Sequence, residues 1–79
     1  MTARAFVLIE TAVGTMNDVV GELTDLPGVE RVETVTGPYD VIATLCMPTM
    51  ANIGNMITDN IHLIKGINRT VTCLDMDGR

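Results

Sequence analysis

The stretch Leu26-Pro27-Gly28-Val29-Glu30-Arg31 returns later in the chain as Ile64-Lys65-Gly66-Ile67-Asn68-Arg69. In each copy an aliphatic residue closes a helical stripe, a glycine stops the helix, and a β-branched residue opens a strand. On either side of the copies the same order of elements occurs twice. Before the first copy, Met16, Val19, Val20, Leu23 and Leu26 recur at helical spacing behind the start signal of Thr15 and Asp18. Ahead of that helix, residues 3–10 read as a strand apolar on both faces, as in a central strand covered on two sides. Before the second copy, residues 39–47 form a similar strand, Pro48 ends it, and Thr49 caps a stripe of Met50, Ile53, Met56, Ile57, Ile61 and Ile64. After the copies come a strand over about 30–36, marked as an edge by Glu30, Arg31 and Glu33, and a last strand over 67–75 with a tail at 76–79. Two βαβ units, each with a right-handed crossover, predict an α+β, ferredoxin-like βαββαβ fold: an antiparallel sheet with both helices on one face.

Composition bounds what such a chain can do. A single domain of 79 residues buries only about 60–65% of its unfolded surface, so its core needs a staple or a partner. Two cysteines and one histidine are too few for a structural zinc site, and nothing calls for a metal or cofactor. With 47% hydrophobic and 19% charged residues the chain is not disordered. A net charge of −5, with cations scattered at Arg4, Arg31, Lys65, Arg69 and Arg79, argues against direct nucleic-acid binding. The longest apolar run, Ala5 to Ile9, is too short for a membrane span and no signal-peptide layout precedes it, so a cytoplasmic location is expected.

Two helices cover one face of the sheet, yet the central strands are apolar on both. The inward set reads Val7, Ile9, Val41, Ala43, Leu45 and Val71. Phe6, Leu8, Ile42, Cys46 and Leu74 then form an outward patch too apolar for a monomer, and a face-to-face dimer, a dimeric α/β barrel open to larger assembly, is expected. Alternation along the last strand sends Ile67, Val71 and Cys73 toward the helices and Thr70 and Thr72 toward the partner, with Thr44 on the corresponding face. The same reasoning points Cys46 and Cys73 to opposite faces, as reduced, small apolar residues.

Between the second and third strands lies Thr36-Gly37-Pro38-Tyr39-Asp40, a turn carrying the only tyrosine. Glycine admits close approach to the backbone, turn amides hold a carboxylate, and Asp40 suits an ammonium, a combination fitted to a free amino acid. The bland reading is that Asp40 accepts bonds from its own turn amides and Tyr39 packs against the dimer. His62 lies at the border of a helical stripe with no identifiable catalytic partner.

Thr36-Gly37-Pro38-Tyr39-Asp40 and Gly66-Ile67-Asn68-Arg69-Thr70-Val71-Thr72, in this order, resemble the effector domain of the Lrp/AsnC regulators, over about residues 5–75. The resemblance implies αβ dimers assembling into rings, with amino-acid effectors bound between dimers. Carried over by position, the ligand-binding candidates are Thr36, Gly37, Tyr39, Asp40, Thr70 and Thr72. The N-terminal helix-turn-helix of the full regulators is missing from residues 1–79, so a stand-alone effector domain is expected, sensing amino acids or co-assembling with full-length regulators. Two other classes share the element order. A small dimeric barrel enzyme, of monooxygenase or isomerase type, would need polar groups in the aliphatic pocket. An ACT-like module would bind its amino acid at the first strand–helix loop, Val13-Gly14-Thr15.

Overall fold

Two βαβ halves meet in one antiparallel sheet in the computed structural model, which describes residues 2–76. The elements are β1 (Ala3–Thr11), α1 (Met16–Thr24), β2 (Val29–Thr34), β3 (Val41–Met47), α2 (Met50–Asp59), a 3-10 turn (Ile61–Leu63) and β4 (Ile67–Leu74). Strand order is β2-β3-β1-β4, so the two apolar strands are central and the charged β2 is an edge, as their compositions require. The third strand begins at Val41, leaving Tyr39 and Asp40 in the turn. Of the expected tail, residues 77–79 lie outside the described residues.

The core lies between sheet and helices. Ala5, Val7 and Ile9 of β1 and Val41, Ala43 and Leu45 of β3 are fully buried against Val19, Leu23, Ile53 and Ile61. Each such Val, Leu or Ile contributes roughly 1.5–3 kcal/mol by leaving water. The second stripe outlasts its helix: after Asp59 the backbone tightens into the 3-10 turn, which still buries Ile61, and Ile64 follows it into the core. Thr49 caps α2 through its hydroxyl, which accepts from Asn52 N at 3.1 Å. Thr15 is used differently: its hydroxyl donates to Ala12 O at 2.7 Å and lies 3.2 Å from Gly66 O. A Cβ on Gly66, which has φ +98°, would stand 2.7 Å from the Thr15 side chain, so this close approach needs glycine.

Register corrects the expected faces of β4. Glu10 pairs with Arg69 but Thr11 pairs with Ile67, so Asn68 is an extra residue in the ladder, a β-bulge. One added residue reverses the alternation beyond it. Thr70, Thr72 and Leu74 therefore stand opposite Ile9, Val7 and Ala5, on the helix side of the sheet. Val71 and Cys73 stand opposite Leu8 and Phe6, on the open side. Val71 leaves the inward set, Leu74 leaves the outward patch, and Cys46, opposite Arg4, shares the open face with Cys73. β2 has the equivalent bulge at Glu30: Val29 pairs with Leu45 and Arg31 with Thr44. Both copies of the sequence repeat thus carry their extra residue at the same place.

The open face presents Phe6 and Val71, 36% and 38% exposed, with half-buried Leu8, Ile42 and Cys46 around a buried Thr44. Among the described residues no helix covers it.

Candidate functional site

The end of the sheet where β1 finishes and β4 begins gathers the residues with chemistry. The turn between β2 and β3 is closed by Val35 N donating to Asp40 O at 2.8 Å and tied to β1 by Asp40 N donating to Ile9 O at 2.9 Å. Its tip, Thr36, Gly37 and Pro38, is exposed. Gly37 has φ +135°, a backbone that L side chains rarely adopt, and the position of a Cβ there has nothing within 4 Å. The space above Gly37 is open.

Asp40 is committed to the scaffold. Its Oδ2 accepts from Thr11 N at 2.8 Å and from Thr11 Oγ1 at 3.1 Å, joining the turn to the end of β1 where the β4 bulge disturbs the ladder. The bland reading of Asp40 is right in kind, but the amide belongs to β1 and not to its own turn. Tyr39 is half-buried, and the Arg69 guanidinium lies over its ring, 5.4 Å from the centroid. Arg69 Nη2 in turn faces Glu10 Oε2 at 3.8 Å.

Gly37, Tyr39 and Asp40 are therefore brought together, with Thr11, Glu10 and Arg69 as neighbours that sequence reasoning does not reach. Thr36, beside Gly37 at the tip, also lines a groove of about 600 Å³ with Met16, Thr34 and Val35. Thr70 and Thr72 are on the helix side, where Thr70 Oγ1 meets His62 Nε2 at 3.4 Å and Thr72 is exposed. Arg69 is visible in the sequence only as the last residue of the repeat; its placement over Tyr39 depends on the bulge.

A second groove, of about 590 Å³, runs beside the loop an ACT-like reading would use, lined by Thr15, Asp18, Glu22 and Lys65 among others. The Thr15 hydroxyl on its wall is engaged by backbone carbonyls. Among the described residues, no group of three His, Cys, Asp or Glu side chains is arranged to hold a metal, and no helix is long and apolar enough to cross a membrane.

The family model described as the Lrp/AsnC ligand binding domain matches residues 4–77. The chain belongs to the Lrp/AsnC family. An HTH-type transcriptional regulator of Pyrococcus abyssi, itself uncharacterised, is 25% identical over 63 residues, 80% of this chain and 42% of the relative. The chain spans about two fifths of the length of such relatives. A crystal structure from Thermus thermophilus shares 31% identity at a TM-score of 0.89 and covers 94% of this Lrp/AsnC domain and 92% of its own chain. A Neisseria meningitidis transcriptional regulator, solved as its L-Met complex, has the same fold at TM-score 0.85 and 14% identity, over 94% of this domain and 49% of the regulator. The domain is thus a ligand-binding domain of a transcription-regulator family.

Proposed function

We propose that this Lrp/AsnC domain senses a free amino acid at the Gly37–Asp40 turn, that the site is completed by assembly of subunits through the open sheet face, and that it modulates regulation of amino-acid metabolism without contacting DNA itself. The observation that carries the reading is the turn: an exposed glycine backbone with open space above it beside Tyr39, held to the sheet by Asp40. The methionine complex of the Neisseria regulator, which shares the fold, supports the choice of ligand class. The uncovered Phe6, Leu8, Ile42 and Val71 support assembly, because a patch of this kind calls for a partner. On the helix side the two central strands are filled by buried Ala5, Val7, Ile9, Val41, Ala43 and Leu45, and the polar Thr70 and His62 meet only at the exposed β4 edge, which supports binding over catalysis, since a barrel enzyme needs a polar pocket in the interior.

Calorimetric titration with the twenty amino acids, with mass followed by light scattering, tests the reading. At least one amino acid should bind below millimolar concentration, and Tyr39→Ala should weaken it by about tenfold or more, a loss of some 1.4 kcal/mol. If Tyr39→Ala binds as the wild type does, the ligand belongs to the groove beside Thr15. If no amino acid binds and the mass never changes, sensing is excluded and a role in assembly alone takes its place.

A further inference from the structure

We propose that Arg69 and Glu10 form the recognition pair of the turn site, and that an α-amino acid binds by inserting its own carboxylate and ammonium into this pair. The proposal rests on the reading of the turn as an amino-acid site and names the groups that recognise the ligand.

Three arginine–glutamate pairs decorate the sheet among the described residues, and they are not alike. Arg31 Nη2 and Glu33 Oε2 close to 3.1 Å, and Arg4 Nη2 and Glu30 Oε1 to 3.3 Å, both at hydrogen-bonding distance. Arg69 and Glu10 stand at 3.8 Å, within Coulombic reach but without a hydrogen bond. Their side chains are 60% and 39% exposed, no more than the 63% and 52% of Arg31 and Glu33, so the missing hydrogen bond, and not exposure, sets this screened pair apart. It is a pair ready to exchange partners.

The setting selects what it exchanges for. The guanidinium lies over the Tyr39 ring at 5.4 Å from the centroid, and with the Arg69 side chain 60% exposed its N–H groups stay accessible to a carboxylate, which a guanidinium takes in two parallel bonds. Asp40, the nearest alternative anion in the turn, already accepts two bonds from Thr11 on Oδ2. Across the β1–β4 ladder Arg69 and Glu10 are direct partners, so backbone register fixes one opposite the other. A zwitterion placed between them gives Arg69 a carboxylate and Glu10 an ammonium, and leaves the charge of the site balanced. A simple anion satisfies only Arg69 and leaves Glu10 unpaired. The pair therefore distinguishes free amino acids from their amides and from N-acylated forms.

The experiment follows the Arg69 Nε–Hε resonance in the full chain by ¹⁵N NMR, with the Arg31 signal as internal control. Sodium acetate, against sodium chloride at equal ionic strength, should move Arg69 saturably and leave Arg31 in place. Calorimetry should show Arg69→Gln weakening an amino acid by about tenfold or more, as expected for a charged hydrogen-bonded contact, with partial recovery in Arg69→Lys. Glu10→Gln should strengthen acetate binding and weaken amino-acid binding, a reversal that a structural role for Glu10 does not produce. Arg69 moving no more than Arg31 in acetate overturns the proposal even where amino acids bind and the effector reading stands. Acetate shifts at Arg69 with no binding of any amino acid keep Arg69 as a carboxylate receptor and overturn both zwitterion insertion and the effector reading. Should Arg69→Gln fail to fold, the wild-type acetate titration still decides.

Discussion

Asp40 was legible from sequence as the chemically loaded residue of the turn, but its partner was not. Thr11, which supplies both hydrogen bonds, lies 29 residues away and becomes a neighbour only when β3 joins β1. An acid that holds a backbone amide in a partly buried place is a structural part, and its loss orphans the amide. Asp40→Ala should lower stability by about 1–3 kcal/mol, read as a reduced urea midpoint at unchanged slope. No loss of stability would mean that water replaces the carboxylate and that Asp40 is available to a ligand after all. Tyr39 belongs to the opposite case: it is half-buried beside Arg69 and outside the buried core cluster, so its replacement should act on binding more than on stability.

Among the elements, the helices and central strands were readable because their patterns are long and consistent: two apolar stripes at helical spacing, two strands apolar on both faces, and a charged edge. The phase of β4 was not. Asn68 carries no local mark of a bulge, and a single inserted residue turns every later side chain to the other face. The first half of the repeat held the available clue. Val29 and Val32 both pack against the core although three positions separate them, a spacing that only an extra residue reconciles with a strand. Transferred to the second half, that spacing joins Ile67 to Thr70 and gives the observed register. The two faces of β4 can be told apart by charge. Val71→Asp, on the open face, should reduce an assembled protein to the mass of one subunit in light scattering. Thr72→Asp, its neighbour on the helix side, should leave the mass as it was. Equal effects of the two would place the interface at the strand edge and not on the sheet face.

For the whole molecule, charge is divided between the layers. Arg4, Arg31 and Arg69 sit on the sheet, each facing a glutamate, whereas Asp18, Glu22 and Asp25 on and just beyond α1 and Asp59 on α2 have no ion-pair partner among the described residues. Lys65 shares a groove with Asp18, Glu22 and Asp25 and offsets only part of their charge, so the negative excess on the helix side favours assembly through the sheet side. Cys46 and Cys73 then become reporters, since both stand on the open face. Their reaction with a thiol reagent should be slow at concentrations where the protein assembles and faster on dilution; rates independent of concentration would count against burial of that face. The strand order has a different consequence, for the timing of folding. β1 is paired on one side by β3 and on the other by β4, so Ala5 waits for Leu74. A nascent chain that has made β1, α1, β2 and β3 holds three strands of the sheet with the β1 edge bare, and only the arrival of residues 67–74 removes that edge from contact with other chains. The pairing of β1 with β4 across the intervening elements makes closure of the sheet a long-range event, slow relative to formation of the helices, and sets an interval in synthesis during which the half-built sheet is open to mispairing.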